Sequence, residues 1–239
     1  MTEVTFRDDV TVELISNVGG DASVVASARV STEGLESVSY LSEGEKEGKG
    51  LINFLMRNRH GTPFEHNSFT FLVSAPIFVF REFHRHRIGW SYNEESGRYK
   101  ELDPVFYIPN RERNLIQTGK TGDYNFEQGP PELSEWLQLD MAEDCFYLYN
   151  KYEERLKRGV AKEVARMTLP VNIYSSMYAT CNARSLMAFL SLRTEREDAT
   201  YPSKPQREIA MVAEKFEFKF NELMPLVAEA FNANGRVCP

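Results

Sequence analysis

The sequence predicts a single domain, residues 1–239, built from both strands and helices, and three observations predict it. Short stretches alternate apolar and polar residues with period two, as at Phe69, Phe71 and Val73, which is the signature of a strand. Other stretches repeat with the helical period, the clearest being Ile209, Val212, Phe216, Phe220, Leu223 and Val227. No Ser/Gly-rich or Pro-rich linker and no internal repeat divides the 239 residues, whose 42% hydrophobic content suffices for one substantial core.

In chain order, Val4, Phe6, Val10, Val12 and Leu14 mark one or two strands. Asp21 is placed to cap a short helix through Val30. Residues 43–58 read as a helix with Leu51, Phe54 and Leu55 on its apolar stripe. After the strand at 69–73, Pro76 stands where a helix can begin without losing a hydrogen bond. That helix would place Ile77, Phe80 and Phe83 on one face and Arg81 and Arg85 on another. Residues 104–109 read as a short strand, and 110–133 as a long loop with no period. Ser134 then caps a helix reaching Lys157, with Trp136, Leu137, Phe146, Tyr149 and Tyr152 as its core residues. A helical turn or two over 161–169, an extended stretch over 171–179, a helix capped by Asn182 and a closing helical stripe complete the order.

Composition narrows the function classes. No apolar run approaches a membrane span, and MTEVTFRDDV lacks the basic and then apolar regions of a signal peptide. Three widely spaced cysteines, Cys145, Cys181 and Cys238, fit a reducing cytoplasm better than a disulfide framework. A formal net charge of -7 argues against a nucleic-acid polymer as partner, while leaving room for a small anion bound at a local arginine cluster.

Such a cluster exists. Residues 81–87 hold Arg81, Glu82, His84, Arg85, His86 and Arg87, followed by the polar run Ser91-Tyr92-Asn93-Glu94-Glu95-Ser96-Gly97-Arg98-Tyr99. Arginine offers a planar fork for phosphate, and Asn, Ser and Glu offer the mixed donors and acceptors that a heterocycle edge needs. Taken alone, Arg-His-Arg is more often a solvated helix end. All four histidines lie between positions 60 and 86, which raises the alternative of a metal site. Three guanidiniums beside His84 and His86 would repel a cation, and no carboxylate completes a zinc pattern, so no metal is predicted.

The whole string decides more than its parts. Arg85-His86-Arg87, eight residues, then Ser96 resembles the signature of the flavin-dependent thymidylate synthases, in which seven residues separate the last Arg from Ser. The extra residue falls within 88–91. Ala28-Arg29-Val30-Ser31, His60 with Thr62-Pro63-Phe64-Glu65-His66, and Asn182-Ala183-Arg184-Ser185-Leu186 with Arg193 nine residues after Arg184 are similar to further strings of that family. The resemblance covers most of residues 21–231. Three departures accompany it: Ala188 stands where a family member has a flavin-contacting Asn, Glu82 where a related enzyme has Gln, and 194–205 is a longer connection than the family needs.

The resemblance implies an α+β fold, a mixed and mainly antiparallel sheet flanked by helices. It implies reductive methylation of dUMP to dTMP, with FAD as cofactor and NADPH and methylene-tetrahydrofolate as co-substrates, in a homotetramer with shared active sites. Flavin contacts are then expected from Ser31, Thr62, Arg85, His86, Arg87, Asn93, Glu94, Asn182 and Arg184. Nucleotide contacts are expected from Glu82, Arg85, Glu94, Glu95, Ser96, Arg98, Arg166 and Arg193. Arg193, Ser96 and His60 are the candidates for the catalytic step, His60 by positioning folate or substrate, and no cysteine nucleophile is expected. The rival reading from another class is a nucleotide- and flavin-binding regulator that has lost the chemistry, and a metal-dependent phosphohydrolase is a weaker rival.

Overall fold

A computed structural model describes residues 3–43, 48–121 and 123–239. The fold is α+β. In chain order the elements are β1 (Thr5–Arg7), β2 (Thr11–Val18), α1 (Asp21–Glu33), a 3-10 turn (Gly34–Ser39), α2 (Tyr40–Glu43), α3 (Lys49–Arg57), a 3-10 turn (Thr62–Glu65), β3 (Ser68–Pro76), α4 (Ile77–Phe83), β4 (Trp90–Glu94) and β5 (Val105–Tyr107). There follow β6 (Ile116–Lys120), β7 (Asp123–Glu127), α5 (Pro131–Lys157), α6 (Lys162–Ala165), a 3-10 turn (Arg166–Thr168), β8 (Tyr174–Cys181), α7 (Ala183–Arg193), α8 (Arg207–Leu223) and α9 (Pro225–Ala233). Among the described residues no helix is long and apolar enough to cross a membrane.

The chain divides into two compact units. The first comprises residues 1–10, 74–83 and 94–176. Here β1 pairs in parallel with β5, and α5 lays one stripe, Cys145, Tyr149 and Tyr152, on Phe106, Leu102 and Ile173. The tyrosines bring polar tips into that core, and both are satisfied. Tyr149 donates to the Leu102 carbonyl at 3.0 Å, and the Tyr152 hydroxyl accepts from the Leu102 N–H at 3.3 Å. Asn172, also buried, donates to the Tyr107 carbonyl at 2.8 Å.

The second unit comprises 11–73, 84–93 and 177–239. It holds most of the four-stranded sheet, ordered β2-β3-β8-β4. Phe69, Phe71 and Val73 of β3 are fully buried, so the predicted alternation marks the core face. Phe71 stacks on Phe216 of α8 with centroids 4.2 Å apart, and α7 contributes Leu186, Phe189 and Leu190 to the same core.

Several sequence expectations need correction. Asp21 does not cap its own helix: Gly20 is the N-cap of α1, and the buried Asp21 carboxylate accepts from the N–H groups of Leu226 and Val227 at 2.8 and 3.0 Å. It therefore caps α9, whose first residue is Pro225. That proline splits the closing stripe into α8 and α9. The helix read over 43–58 is α3 from Lys49, and residues 44–47 of that reading lie outside the described residues. The 110–133 stretch contains the antiparallel hairpin of β6 and β7, paired from Ile116↔Glu127 to Lys120↔Asp123. Its faces are mostly exposed, which removes the alternation that would have betrayed it. Ser134 is a buried residue inside α5; the helix starts at Pro131 behind an extended Pro130. On that helix Trp136 and Phe146 lie on the exposed side rather than in the core.

Candidate active site

The second unit brings two of the sequence strings together. Helix α4 ends at Phe83, so Arg85, His86 and Arg87 lie beyond it in an irregular turn, not on its last face as the spacing predicted. Two contacts tie that turn to α7. At the N-terminal end of α7, the Asn182 side chain accepts from the Ser185 N–H at 2.9 Å, which makes Asn182 the helix N-cap as expected. Ser185 in turn donates from Oγ to the Ile88 carbonyl at 2.9 Å. At the C-terminal end, Arg193 donates from Nε to His86 Nε2 at 3.1 Å. Between these clasps Gly89 has φ +67, and a Cβ there would stand 2.1 Å from Ser185 Oγ, so the close approach requires glycine. The turn Ile88–Gly89 lies within the span assigned to the extra residue, and Trp90 resumes regular strand at β4.

Aromatic rings line this junction. Trp90 stacks on Tyr92 with centroids 5.7 Å apart, and the His86 ring lies 4.8 Å from that of Phe189. Burial, and next the Arg193 charge, depress the His86 pKa from 6.5 to about 4. The ring is therefore neutral at neutral pH and can accept the hydrogen bond from Arg193. Tyr92 donates to the His86 carbonyl at 3.0 Å, and burial holds its phenol protonated.

Arg184 stands one residue inside α7. It donates from Nη1 to Glu65 Oε1 at 2.5 Å and from Nε to the Pro239 carbonyl at 2.7 Å. Its guanidinium packs over Gly61, where a Cβ would lie 2.5 Å from Arg184 Cζ. The carboxylate of Glu65 holds the Arg184 pKa above its ordinary value. Thr62 is exposed in the turn that carries Glu65, and His60, also exposed, has its ring 5.8 Å from that of Phe54. Ser31 is exposed on α1 and donates to the Ala28 carbonyl at 2.9 Å. Arg85 and Arg87 are exposed and make no ion pair among the described residues, and Asn93 is exposed on β4.

The remaining expected residues belong to the first unit. Glu82 is partly buried on α4, and Glu94 ends β4. Lys100 forms ion pairs with Glu95 at 2.8 Å and Asp103 at 3.0 Å, and these two carboxylates push its pKa up to about 12. The Ser96 carbonyl accepts from the N–H groups of Tyr99 and Lys100, closing a tight turn around the buried Gly97. Arg98 donates to Glu163 at 2.9 Å, and the Arg166 stem packs on Gly97. Among the described residues no three His, Cys, Asp or Glu side chains are gathered to hold a metal ion.

The comparisons with known proteins bear on the whole chain. The family model described as thymidylate synthase complementing protein matches residues 13–226. A flavin-dependent thymidylate synthase of Streptomyces coelicolor is 58% identical over 237 residues, covering 99% of this chain and 96% of that one. The chain belongs to the flavin-dependent thymidylate synthases. A more distant relative of the same name, from Thermotoga neapolitana, is 42% identical over 92% of this chain and 89% of its own. The crystal structure of a UMP/dUMP methylase PolB from Streptomyces cacaoi bound with 5-Br dUMP superposes with a TM-score of 0.92, at 49% identity, covering 99% of this chain and 100% of that one.

In a flavin-dependent thymidylate synthase the family strings alone do not reveal which of their residues depend on others. Glu65, Gly61 and Pro239 were not singled out from the sequence, yet each shapes the surroundings of Arg184. Glu65 lies within the Thr62–His66 string, and its carboxylate is the one available signal. Nothing local announced Pro239. Cys238 is partly buried with Sγ 3.2 Å from the Arg184 carbonyl, and burial raises its pKa.

Proposed function

We propose that this protein methylates dUMP to dTMP with FAD as cofactor, NADPH as reductant and methylene-tetrahydrofolate as one-carbon donor. The observation that carries the reading is the clasp between the two arginine-bearing strings, Ser185 on Ile88 and Arg193 on His86, within a chain of this family. The donor set fits a phosphate-bearing cofactor: Arg85 and Arg87 expose guanidiniums that no carboxylate neutralises among the described residues. We assign flavin contacts to Ser31, Thr62, Arg85, His86, Arg87, Asn93, Glu94, Asn182 and Arg184, and nucleotide contacts to Glu82, Arg85, Glu94, Glu95, Ser96, Arg98, Arg166 and Arg193. When bound, reduced flavin supplies the hydride that converts the transferred carbon to methyl.

The protein's own contribution is binding and electrostatics. Arg193, its Nε held by a neutral imidazole, stabilises charge developing on the uracil carbonyl. His60, exposed beside Phe54, positions folate or substrate, and Ser96 orients the nucleotide from its turn. No thiol attacks the ring in this scheme. Cys181 is buried and its pKa is pushed well above the ordinary thiol value, which suppresses the thiolate that such an attack needs.

Two further readings complete the proposal. The chain works as one domain, its β3 and β8 passing directly from one compact unit to the other. It assembles as a cytoplasmic homotetramer with sites shared between subunits; exposed Val30 on α1, Leu35 and Val38 in the following 3-10 turn and Leu41 on α2 support a subunit contact. The test is the visible spectrum of the purified protein, followed by dTMP formation with all three partners present and with each omitted. Flavin absorbance with dUMP- and folate-dependent product supports the enzyme. Flavin and dUMP binding without turnover would make the protein a nucleotide-binding regulator. Sedimentation of the flavin-loaded protein as a fully active monomer would refute the shared-site tetramer.

A further inference from the structure

Among the described residues, the non-glycine positions with positive φ are Arg59 (φ 61) and Arg236 (φ 57). Side chains with a Cβ occupy this region at a steric cost, and Gly or Asn is the usual choice at the end of a helix. Both are arginines, both directly follow a helix or its last turn, and both engage the same stretch of chain. Arg59 donates from Nη1 to the Val237 carbonyl. Arg236 begins that stretch, and its side chain is only 3% exposed. It donates to Glu217 Oε1 at 2.6 Å and to Thr194 Oγ1 at 2.8 Å. Thr194 is the C-cap of α7 and immediately follows Arg193. At the other end of the same helix, Arg184 donates to the Pro239 carbonyl and Cys238 Sγ approaches the Arg184 carbonyl.

We propose that residues 236–239 form a strap along α7 that positions both of its arginines, Arg236 fixing the Arg193 end through Thr194 and the Pro239 carbonyl fixing Arg184. The inference rests on the reading above that Arg184 faces flavin and Arg193 the nucleotide. Of the Arg184 fork, Nε is turned to Pro239 and Nη1 to Glu65, which fixes the plane of the guanidinium and with it the direction of Nη2. Arg59 anchors the middle of the strap from the end of α3. The two strained arginines are thus accounted for: glycine would suit the backbone better, but neither hydrogen bond to the strap or from it could then form. These are positioning residues, touching neither substrate nor cofactor.

Three variants separate positioning from plain stability: deletion of Val237–Pro239, Arg59→Asn, and Thr194→Val. Asn tolerates positive φ, so Arg59→Asn keeps the backbone while losing the contact to Val237. Each apoprotein is titrated with FAD by flavin fluorescence and, separately, with dUMP by calorimetry, beside a thermal unfolding scan. The deletion and Arg59→Asn are expected to weaken FAD about tenfold and leave dUMP within about twofold, the size of one lost charge-assisted contact. Thr194→Val is expected to do the reverse, weakening dUMP about tenfold with FAD unchanged. Both affinities unchanged in every variant, or both falling together with the unfolding midpoint, overturn the strap. A parent protein that binds neither FAD nor dUMP fails at the earlier step and refutes the functional reading with it.

Discussion

The Nε of Arg193 and the Nε2 of His86 share one hydrogen bond at 3.1 Å, which only a neutral imidazole can accept. Replacing the arginine tests what that arrangement serves. Arg193→Ala is expected to weaken dUMP binding about ten- to a hundredfold, the equivalent of roughly 1.5–3 kcal/mol, with flavin occupancy retained. Equilibrium dialysis with labelled dUMP, read beside the flavin spectrum, checks both halves; unchanged dUMP affinity removes Arg193 from the nucleotide contacts.

The same pair sets a pH dependence. The folded-state pKa of His86, about 4, lies below the free value of 6.5, so on acidification the unfolded chain takes up the proton first. The contribution of His86 to stability is therefore complete above pH 6.5 and is lost as pH falls toward about 4. Denaturation midpoints measured across that window for the parent and for His86→Gln should converge at the acid end. Parallel profiles for the two proteins would show that His86 titrates normally.

Gly61→Ala should reach the flavin side selectively. The new methyl would stand 2.5 Å from Arg184 Cζ, the far end of a flexible side chain, so the guanidinium shifts rather than the backbone. We expect FAD affinity to fall about tenfold with a stability loss of about 1 kcal/mol or less. Gly89→Ala is the contrasting variant, because its φ of +67 and its 2.1 Å approach to Ser185 Oγ add backbone strain, costing about 1–3 kcal/mol. Chemical denaturation of the two variants side by side gives the comparison.

The triple variant Cys145→Ala, Cys181→Ala, Cys238→Ser should still form dTMP. Cys145 Sγ lies 3.3 Å from Asn172 Nδ2 inside the first unit, Cys181 is buried, and burial raises the pKa of both thiols. The expected loss is stability of about 1 kcal/mol per buried site, not chemistry. The assay follows deuterium from reduced flavin into product. A folded, flavin-loaded triple variant that makes no dTMP, rescued by restoring Cys181 alone, would reinstate a covalent thiol route.

Legibility followed the range of the forces involved. Asn182 as an N-cap, the buried face of β3 and the turn over 161–169 are local patterns, and each could be read from neighbours in sequence. The hairpin of β6 and β7 could not, because strands exposed on both faces need no apolar alternation. Pro225 sits inside an unbroken helical stripe, and the break became visible only with the capping carboxylate that accommodates it. At the site, the strings that resemble the family gave Arg184, Arg193 and His86 as candidates. The partners Glu65 and Pro239 lie 119 and 55 residues from Arg184, and no short-range pattern encodes a contact of that span.

The capping of α9 by Asp21 joins residues 205 positions apart. During synthesis, the start of the second unit must wait until residues 226 and 227 have been made before this carboxylate meets its N–H donors. Until then a carboxylate destined for a 2% exposed position lacks its two N–H donors on α9, which delays the final burial of α1. Such a late, long-range closure slows folding and lengthens the time for which Val24 and Val25 on the nascent chain remain open to chaperones or to premature association.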